Sequence, residues 1–376
     1  MNTLIWLAGI FCGTATLLHI ASVLVATGRC RPVTPASPPR VGRPGVTVIR
    51  PVCGIDNHVE ETLRSTFALD YPDYEILFCV ASGRDPVVPL VERLIAAHPA
   101  RARLLIGEDR VSANPKLNNV VKGWREAAHD WIIIADSNVL MPSDYVQRLI
   151  AAYRRDTGLV CAPPIGCRPD GFWAELECAF LNTYQARWQY FADTAGLGFA
   201  QGKTMLWRRA VLDAVGGIEA LAQEVAEDAA ATKAVNALDL RVRLVDAPFG
   251  QPLGLRRIGE VWNRQVRWAR LRRGSFPQFF LPEICSGALL PVACCALLAG
   301  AAALPVPATV AAFAALWYGG EYILARTARW HVSALSPLAW MLRDLLLPIL
   351  WVEAWRSSEF VWRGHPMDLA DSGRAA

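Results

Sequence analysis

The chain has 376 residues, a formal net charge of +4 and an apolar fraction of 53%. Its mean hydropathy of +0.25 is high for a soluble enzyme. The apolar residues concentrate towards both ends, which indicates an integral membrane protein with a soluble-type middle and no nucleic-acid partner. Ten scattered cysteines form no Cys-x-x-Cys pair, so the sequence indicates neither a zinc site nor a disulfide framework.

The chain begins with a largely apolar run, Leu4 to Ala26, in which His19 is the one ionisable residue. The run is long enough to cross about 30 Å of hydrocarbon. A cleaved signal peptide is the alternative, but the run lacks a basic start and a clear small-x-small cleavage site. We therefore predict a retained anchor at 1–28, followed by a basic, proline-rich linker at 29–45.

The flank behind this anchor is basic, and no acidic residue occurs before Asp56. By the positive-inside rule, the flank and the domain behind it are expected in the cytoplasm. Five arginines make up this charge: Arg29, Arg31, Arg40, Arg43 and Arg50.

The middle of the chain alternates buried-strand patterns with helical patterns. Strands are predicted at 46–52, 75–80, 103–106 and 131–135, and helices at 59–69, 87–97 and 116–128. This alternation predicts an α/β fold with a parallel sheet that is covered on both faces. Ligands bind beyond the carboxyl ends of such strands, where Asp56, Asp85 and Asp136 all lie.

The pattern changes character after about residue 255. Residues 256–273 are strongly basic, and we predict that the catalytic domain runs from 46 to 283, with interfacial helices. Apolar runs at 284–304 and 306–325 are predicted to span the membrane. A third run, 335–355, contains Arg343, Asp344 and Glu353, which are costly at membrane depth unless they face protein or water. It either spans or forms a re-entrant or interfacial helix, the second being favoured, within a C-terminal membrane region at 284–376.

Asp136-Ser137-Asn138 is the first motif with chemical content. A carboxylate and an amide oxygen at this spacing can face a hard divalent cation, so Asp136 and Asn138 are the predicted metal ligands. Mg²⁺ or Mn²⁺ there would bridge to a diphosphate and neutralise charge on a leaving nucleotide. A plain turn after a strand explains the same residues equally simply.

Glu227-Asp228 follows a mostly apolar stretch and is predicted to open a helix. Acidic residues at a helix start are favoured by the helix dipole, which is the structural explanation. The functional explanation is a general base that takes the proton of an acceptor hydroxyl. We assign this role to Asp228, with Glu227 as a neighbour that tunes it.

Arg264, Arg267 and Trp268 are spaced to share one face of a helix. Guanidinium groups suit a diphosphate, and the indole could stack on a sugar. A juxtamembrane basic helix attracted to anionic lipid is the alternative.

Two loops complete the candidates. In Asn114-Pro115-Lys116-x-Asn118-Asn119, Lys116 could reach a phosphate, and Asn118 and Asn119 could cap a helix or contact the nucleotide. In the loop at 199–203, Gly202 would allow close backbone approach beneath a sugar. Ordinary turns account for both loops as well.

Taken in order, these motifs resemble the membrane glycosyltransferases of the ceramide glucosyltransferase type, the family 21 branch of the GT-A superfamily. The resemblance rests on Asp85, Asp136 in Ala-Asp-Ser, Asp228 in Ala-Glu-Asp, and Arg264-x-x-Arg267-Trp268. The single motifs are weak, whereas the ordered set is specific, and it runs from about residue 46 to 285.

The resemblance implies a GT-A nucleotide-sugar fold, UDP-glucose as donor, a divalent cation and inversion to a β-glycoside. It assigns Asp228 to base catalysis and Asp136 to the metal and diphosphate. The acceptor would be a lipid hydroxyl, with ceramide first and diacylglycerol or a hopanoid as alternatives. The predicted donor-binding residues are Pro51, Asp56, Asp85, Lys116, Asp136, Arg264, Arg267 and Trp268.

Two departures from the animal enzymes bear on specificity. Gln185 is the nearest counterpart of a histidine in their segment matching 182–187, which leaves the acceptor open. The segment before Asp85 is less acidic than theirs, so we expect the uridine contacts to differ. The Arg- and Ala-rich composition is typical of a bacterial protein. Together with the apolar runs and the basic flank, it predicts a multi-pass protein of the bacterial inner membrane with a cytoplasmic catalytic domain.

Three other functions compete with this one, of which a small transporter is the least favoured, because the middle of the chain is of soluble α/β type. A processive polysaccharide synthase needs a polymer tunnel through several spans, and three or four are predicted here. A non-catalytic membrane scaffold would leave Asp136, Asp228 and Arg267 replaceable. Divalent-dependent binding of UDP would separate the enzyme from the scaffold.

Overall fold

The computed structural model describes residues 2–32, 43–362 and 364–371. The described residues fall into two compact units. The sheet unit comprises Pro32–Cys167, Ala192–Gly254 and Val361–Ala376, and the helical unit comprises Met1–Arg31, Arg168–Phe191 and Leu255–Phe360. The predicted linker falls largely on 33–42, outside the described residues, and the predicted domain bounds stay predictions.

The strands are β1 Val46–Pro51, β2 Tyr74–Val80, β3 Ala102–Ile106, β4 Trp131–Ala135, β5 Thr157–Cys161, β6 Ile165–Asp170, β7 Thr204–Arg208, β8 Arg241–Leu244, β9 Gly250–Leu255, β10 Glu359–Trp362 and β11 His365–Asp368. The helices are α1 Asn2–Arg29, α2 Val59–Ser65, α3 Val88–Ala96, α4 Pro115–Glu126, α5 Tyr145–Ala152, α6 Phe172–Ala179, α7 Arg187–Thr194, α8 Arg209–Asp213, α9 Glu227–Ala237, α10 Ile258–Ser275, α11 Pro277–Phe280, α12 Leu289–Ala301, α13 Val306–Thr327 and α14 Ser336–Arg356. A π-helical segment, Phe180–Ala186, joins α6 to α7.

The sheet unit is built on a seven-stranded sheet with the order β3-β2-β1-β4-β7-β5-β8. The first four strands are parallel, as the alternating pattern predicts, and their registers pair Val48 with Ile76 and with Ile133. β7 then enters antiparallel between β4 and β5. β1, β2 and β4 are almost entirely buried, whereas the edge strand β3 is partly exposed. Because the four strands are parallel, their carboxyl ends bring the loops that follow them to one edge of the sheet.

Arg50 corrects one expectation from the sequence. It was counted with the basic flank, but it lies in β1 and is fully buried. Its guanidinium donates to the carbonyl oxygens of Ser137 at 3.1 Å and Thr62 at 3.3 Å. Burial lowers the pKa of Arg50 to about 10, so it remains a cation at neutral pH. Arg50 therefore anchors the loop after β4 rather than marking a membrane face.

The helical unit packs α1 against α12 and α13, and α14 against α6 and α10. Among the described residues, Thr3–Arg29 is the one single helix long and apolar enough to cross a membrane. Pro277–Cys285 and Leu289–Ala301 pass the same test only as a pair, bent by 41°. The C-terminal spans therefore stay predictions.

The charges in the last apolar run face protein. Arg343 and Asp344 on α14 are 1% and 2% exposed, and Glu321 on α13 is fully buried. Arg343 pairs with both oxygens of Glu321 at 2.9 Å and with Asp344 at 2.8 Å. Asp344 also accepts from Tyr318 Oη at 3.2 Å and from the Ala288 amide at 3.0 Å. This network ties three helices together, and the pairing offsets the cost of burying these charges.

Candidate active site

Four segments of the sheet unit bring charged residues together. They are the start of α4, the loop after β4, the turn before β7 and the start of α9. We call the group they form the ion cluster; its members are Lys116, Asp136, Lys203, Glu227 and Asp228.

Lys116 is the centre of the ion cluster. Its ammonium lies 2.7 Å from Asp136 Oδ1 and 2.6 Å from Glu227 Oε1. It also donates to the Gly202 carbonyl oxygen at 2.6 Å. Burial alone would lower the pKa of Lys116, but the two carboxylates outweigh burial and raise it. Lys116 is therefore a permanent cation in the cluster.

Local sequence explains why Lys116 points there. Asn114 precedes the proline that opens α4, and its side chain caps the helix by accepting from the amides of Lys116 and Leu117. The Asn114 amide group donates to Glu227 Oε2 at 2.7 Å, which links the cap to α9. The sequence argument offered Asn118 and Asn119 as caps, and that was wrong. Both lie inside α4, where Asn119 donates to the Cys79 carbonyl oxygen.

The predicted metal ligands converge on one cation. Lys203 Nζ lies 2.8 Å from Asp136 Oδ2 and 3.3 Å from Asn138 Oδ1. Burial alone would raise the pKa of Asp136, but Lys116 and Lys203 outweigh it and hold the pKa well below its usual range. The residues of this loop thus present two oxygens to a single positive centre, and carboxylate and amide oxygens are among the ligands that hard divalent cations take.

Metal binding by the protein alone would be weak at this position. The described residues contain no group of three or more His, Cys, Asp or Glu side chains arranged to hold a metal. Asp136 and Asn138 fit a Mg²⁺ or Mn²⁺ ion that takes its other ligands from a bound diphosphate and water, which is the usual arrangement for Mg²⁺.

Asp228 lies at the start of α9, as predicted, and Glu227 and Asp228 open that helix. Asp228 Oδ2 accepts a hydrogen bond from the Gly202 amide at 3.0 Å. Burial, followed by the negative charge of Glu227, raises the pKa of Asp228 to about 6. A carboxylate with this pKa is ionised at neutral pH and is more basic than an ordinary aspartate, which suits a general base.

Gly202 is the close-approach residue of the site. A Cβ built at this position would lie 2.8 Å from Glu227 Oε1 and 3.2 Å from Lys116 Nζ. Its amide donates to Asp228, and its carbonyl oxygen accepts from Lys116. Lys203, the next residue, contacts Asp136, so the dipeptide Gly202-Lys203 joins the candidate base to the candidate metal ligands. The sequence predicts close backbone approach at Gly202 beneath a sugar. In the structure, the groups that lie close to Gly202 are those of the ion cluster.

The remaining predicted donor residues are divided between the two units. In the sheet unit, Pro51 ends β1, Asp56 follows it, and Asp85 follows β2. Asp85 accepts from the Gly54 amide at 2.9 Å and from the Val87 amide at 2.9 Å, so it fixes the loop after β1. None of these three residues pairs with the ion cluster in the hydrogen bonds and ion pairs described.

Arg264, Arg267 and Trp268 belong to the helical unit, on α10. Arg264 pairs with Glu177, a fully buried carboxylate of α6 that Arg256 also approaches at 3.4 Å. A role of this Arg/Trp set in donor binding stays a prediction.

Sequence reasoning assigned no chemical role to Arg50, Asn114 or Lys203. An arginine inside a β-branched run was the available signal for Arg50, and Asn-Pro before a helix was the signal for Asn114. Nothing in the local pattern around Lys203 indicates that it meets Asp136, because that contact depends on the antiparallel pairing of β7 with β4.

Comparison with known proteins gives a consistent assignment. The profile of Glycosyl transferase family 21 matches residues 5–375. Ceramide glucosyltransferase 1 of Caenorhabditis elegans is 26% identical over 97% of this chain and 79% of its own length. Ceramide glucosyltransferase of Komagataella phaffii is 35% identical over 47% of this chain and 39% of its own.

Among solved structures, the mannosyltransferase PcManGT of Pyrobaculum calidifontis, determined with GDP-Man and Mn²⁺, shares the fold. The TM-score is 0.50 at 18% identity, and the match covers 90% of this chain and 99% of that one. The mixed α/β fold predicted from the sequence is thereby confirmed as a GT-A glycosyltransferase fold.

Proposed function

The chain belongs to glycosyl transferase family 21, and we propose that this glycosyltransferase moves glucose from UDP-glucose to the hydroxyl of a membrane lipid with inversion. Ceramide is the proposed acceptor, because the relatives that match most of the chain carry that activity in their names. The observation that carries the proposal is the placement of Asp228 and of the Asp136/Asn138 pair on the two sides of Gly202-Lys203.

The charge of the ion cluster supports a divalent cation. Three carboxylates face two ammonium groups, which leaves a formal charge of −1 when Asp228 is ionised. A diphosphate would be repelled by this excess, and a divalent cation at Asp136 and Asn138 would reverse its sign. When bound there, the ion would neutralise charge on the departing diphosphate.

Each residue of the ion cluster has a separate role in the proposed reaction. Asp228 takes the proton of the acceptor hydroxyl while the acceptor oxygen forms its bond to the anomeric carbon. The bond from that carbon to the diphosphate breaks, and UDP leaves with the electron pair. Lys116 holds Glu227 and Asp136 in place, and Gly202 fixes the orientation of the Asp228 carboxylate through its amide. A single displacement of this kind needs one base and gives inversion.

We further propose that the protein is a multi-pass protein of the bacterial inner membrane with a cytoplasmic site. The apolar helix Thr3–Arg29 supports this location, and the arginines that follow it support the orientation.

Transfer in membranes tests the proposal. Labelled UDP-glucose, UDP-galactose, UDP-glucuronate and UDP-N-acetylglucosamine are each offered with ceramide, diacylglycerol or a hopanoid, with and without EDTA. We expect divalent-dependent glucosylation of ceramide that disappears in Asp228→Asn. Transfer to another lipid would keep the mechanism and change the acceptor, whereas no transfer and no divalent-dependent UDP binding would overturn the proposal.

A further inference from the structure

The helical unit contains an apolar cavity of about 160 Å³. It lies among α6, the π-helical segment, α10 and α14. Eight of its nine lining side chains are apolar, and the tryptophans Trp173 and Trp262 form part of its wall. Ile258, another lining residue, is 54% exposed, so the cavity reaches the protein surface. A lining of this kind favours an apolar occupant.

The one polar residue that lines the cavity is Gln265, which is 3% exposed. Its Oε1 accepts a hydrogen bond from Gln185 Nε2 at 3.0 Å. Within the described part of the chain, the other two amide atoms of this pair, Gln265 Nε2 and Gln185 Oε1, are buried and have no hydrogen-bond partner. Exchanging oxygen and nitrogen in both side chains still leaves one donor and one acceptor unmet.

A second, much smaller cavity adjoins the first. Its volume is about 10 Å³, and it shares Phe180 and Gln265 with the larger cavity. The other polar side chains in its wall are Gln185, Tyr184, which bonds to Ser286, and Arg272 and Glu283, which pair with each other. That volume admits one water-sized group. The apolar cavity therefore adjoins a space for a single polar atom, beside the unmet donor of Gln265 and the unmet acceptor of Gln185.

A hydroxyl group meets this requirement. Its oxygen accepts from Gln265 Nε2, and its hydrogen is donated to Gln185 Oε1. Buried polar groups without partners are costly, so a ligand that satisfies both amides gains more than its apolar contacts alone. A carboxamide is too weak a base to activate a hydroxyl, so the hydroxyl held here is not the one that is glycosylated.

We propose that these cavities select acceptor lipids with a second hydroxyl beside a hydrocarbon chain. The chain fills the larger cavity, and the second hydroxyl lies between Gln185 and Gln265. The inference rests on the proposed function for the identity of the ligand as the acceptor. Ceramide has such a hydroxyl at carbon 3, whereas diacylglycerol has only the hydroxyl that would receive the sugar.

The kinetic test compares two acceptors and two variants. Gln265→Met keeps the side-chain size and removes the donor, and exposed Gln278→Met is the matched control. We expect Gln265→Met to raise the KM for ceramide about tenfold, the upper end for one neutral hydrogen bond. The KM for 3-deoxyceramide should be higher in the parent enzyme and should not change in the variant.

A selective loss of this kind separates recognition from structure. If Gln265→Met affects ceramide and 3-deoxyceramide equally, or only lowers the unfolding temperature, the amide pair holds a water and the proposal is wrong. Equal KM values for the two lipids in the parent enzyme would overturn it as well.

A direct binding measurement tests the lipid site without relying on enzymatic turnover. Ceramide with a brominated acyl chain should quench tryptophan fluorescence, and Trp262→Phe should reduce the quenched fraction. Quenching without any sugar transfer would preserve the lipid site and overturn the proposed function. Transfer to ceramide without quenching that depends on Trp262 would preserve the proposed function and overturn the lipid site.

Discussion

The sheet unit and the helical unit each contain a cluster of buried or half-buried charges, and the two clusters differ in balance. In the helical unit, Glu321 and Asp344 face Arg343, with Arg187 close to Glu321, which gives two charges of each sign. In the sheet unit, the ion cluster has one carboxylate more than it has ammonium groups.

This difference in balance corresponds to a difference in hydrogen bonding. Arg343 uses all three of its guanidinium nitrogens on Glu321, Asp344, Thr183 and the Ala179 carbonyl oxygen. Asp228 in the ion cluster has no ammonium partner among the ion pairs described, and its pKa is raised. A saturated network holds helices together, whereas an unbalanced cluster retains a proton acceptor and a negative charge that a further cation would neutralise.

The strongest way to test this comparison is to remove the proton acceptor. Asp228→Asn should lower kcat by about 10² to 10⁴, because a positioned base contributes that much. The unfolding temperature should change little, since the carboxylate accepts from the backbone amides of Gly202 and Ala229, and an asparagine oxygen can accept from an amide as well. Rates with UDP-glucose and ceramide check this, and exposed Asp213→Asn is the control. A loss below fivefold would exclude Asp228 as the base.

Breaking the saturated network should act on stability instead. Arg343→Met leaves Glu321 and Asp344 buried without their partner and should cost about 3 to 5 kcal/mol of unfolding free energy. Thermal unfolding in lipid nanodiscs measures it, with exposed Arg326→Met as the control. The triple variant with Glu321→Leu and Asp344→Leu should recover much of the loss. A single variant as stable as the parent would show that the network contributes little.

The pH dependence of kcat/KM sharpens the assignment of the base. Because the pKa of Asp228 is raised to about 6, activity should be full above that pH and fall as Asp228 takes up a proton below it. Glu227→Gln removes a neighbouring negative charge, so the acidic limb should move down by about one unit. A limb that stays in place in this variant would mean that another group titrates.

The smallest expected effect concerns the ammonium between the metal ligands. Lys203 Nζ occupies the position between Asp136 and Asn138, so it should compete with a divalent cation when no nucleotide is bound. Lys203→Met should tighten Mn²⁺ binding about tenfold, or about 1.4 kcal/mol. Electron paramagnetic resonance of free Mn²⁺ measures this, with Lys233→Met as the control. Weaker binding in Lys203→Met would show that the ammonium supports the metal site.

The sequence predicts the parts of the fold that depend on local pattern. The first four strands were found within one residue of their bounds, because short, mostly apolar runs separated by helical patterns have few alternative structures. The position of Asp228 at the start of α9 was also predicted from local sequence, because an acidic pair follows a mostly apolar stretch there and precedes a helical pattern. The insertion of β7 between β4 and β5 was not predicted, since it depends on pairing between Ile133 and Leu206, far apart in the chain.

The site was predictable only as a set of separate residues. The contacts of Lys203 with Asp136 and of Asn114 with Glu227 follow from that strand order and from the packing of α9, which no local window reports. The helical unit was less predictable still, because the partner of Arg343, Glu321, lies in a run that reads as apolar.

The strand order also sets when the site can assemble on the ribosome. β4 ends at Ala135, but its neighbour β7 begins only at Thr204, and β5 reaches the sheet through β7. At about 5 to 20 residues per second, translation takes roughly 3 to 14 s to supply that stretch. During this interval the nascent sheet ends at β4 with an open edge. The loop that bears Asp136 must wait for Lys203, so the ion cluster forms late in synthesis.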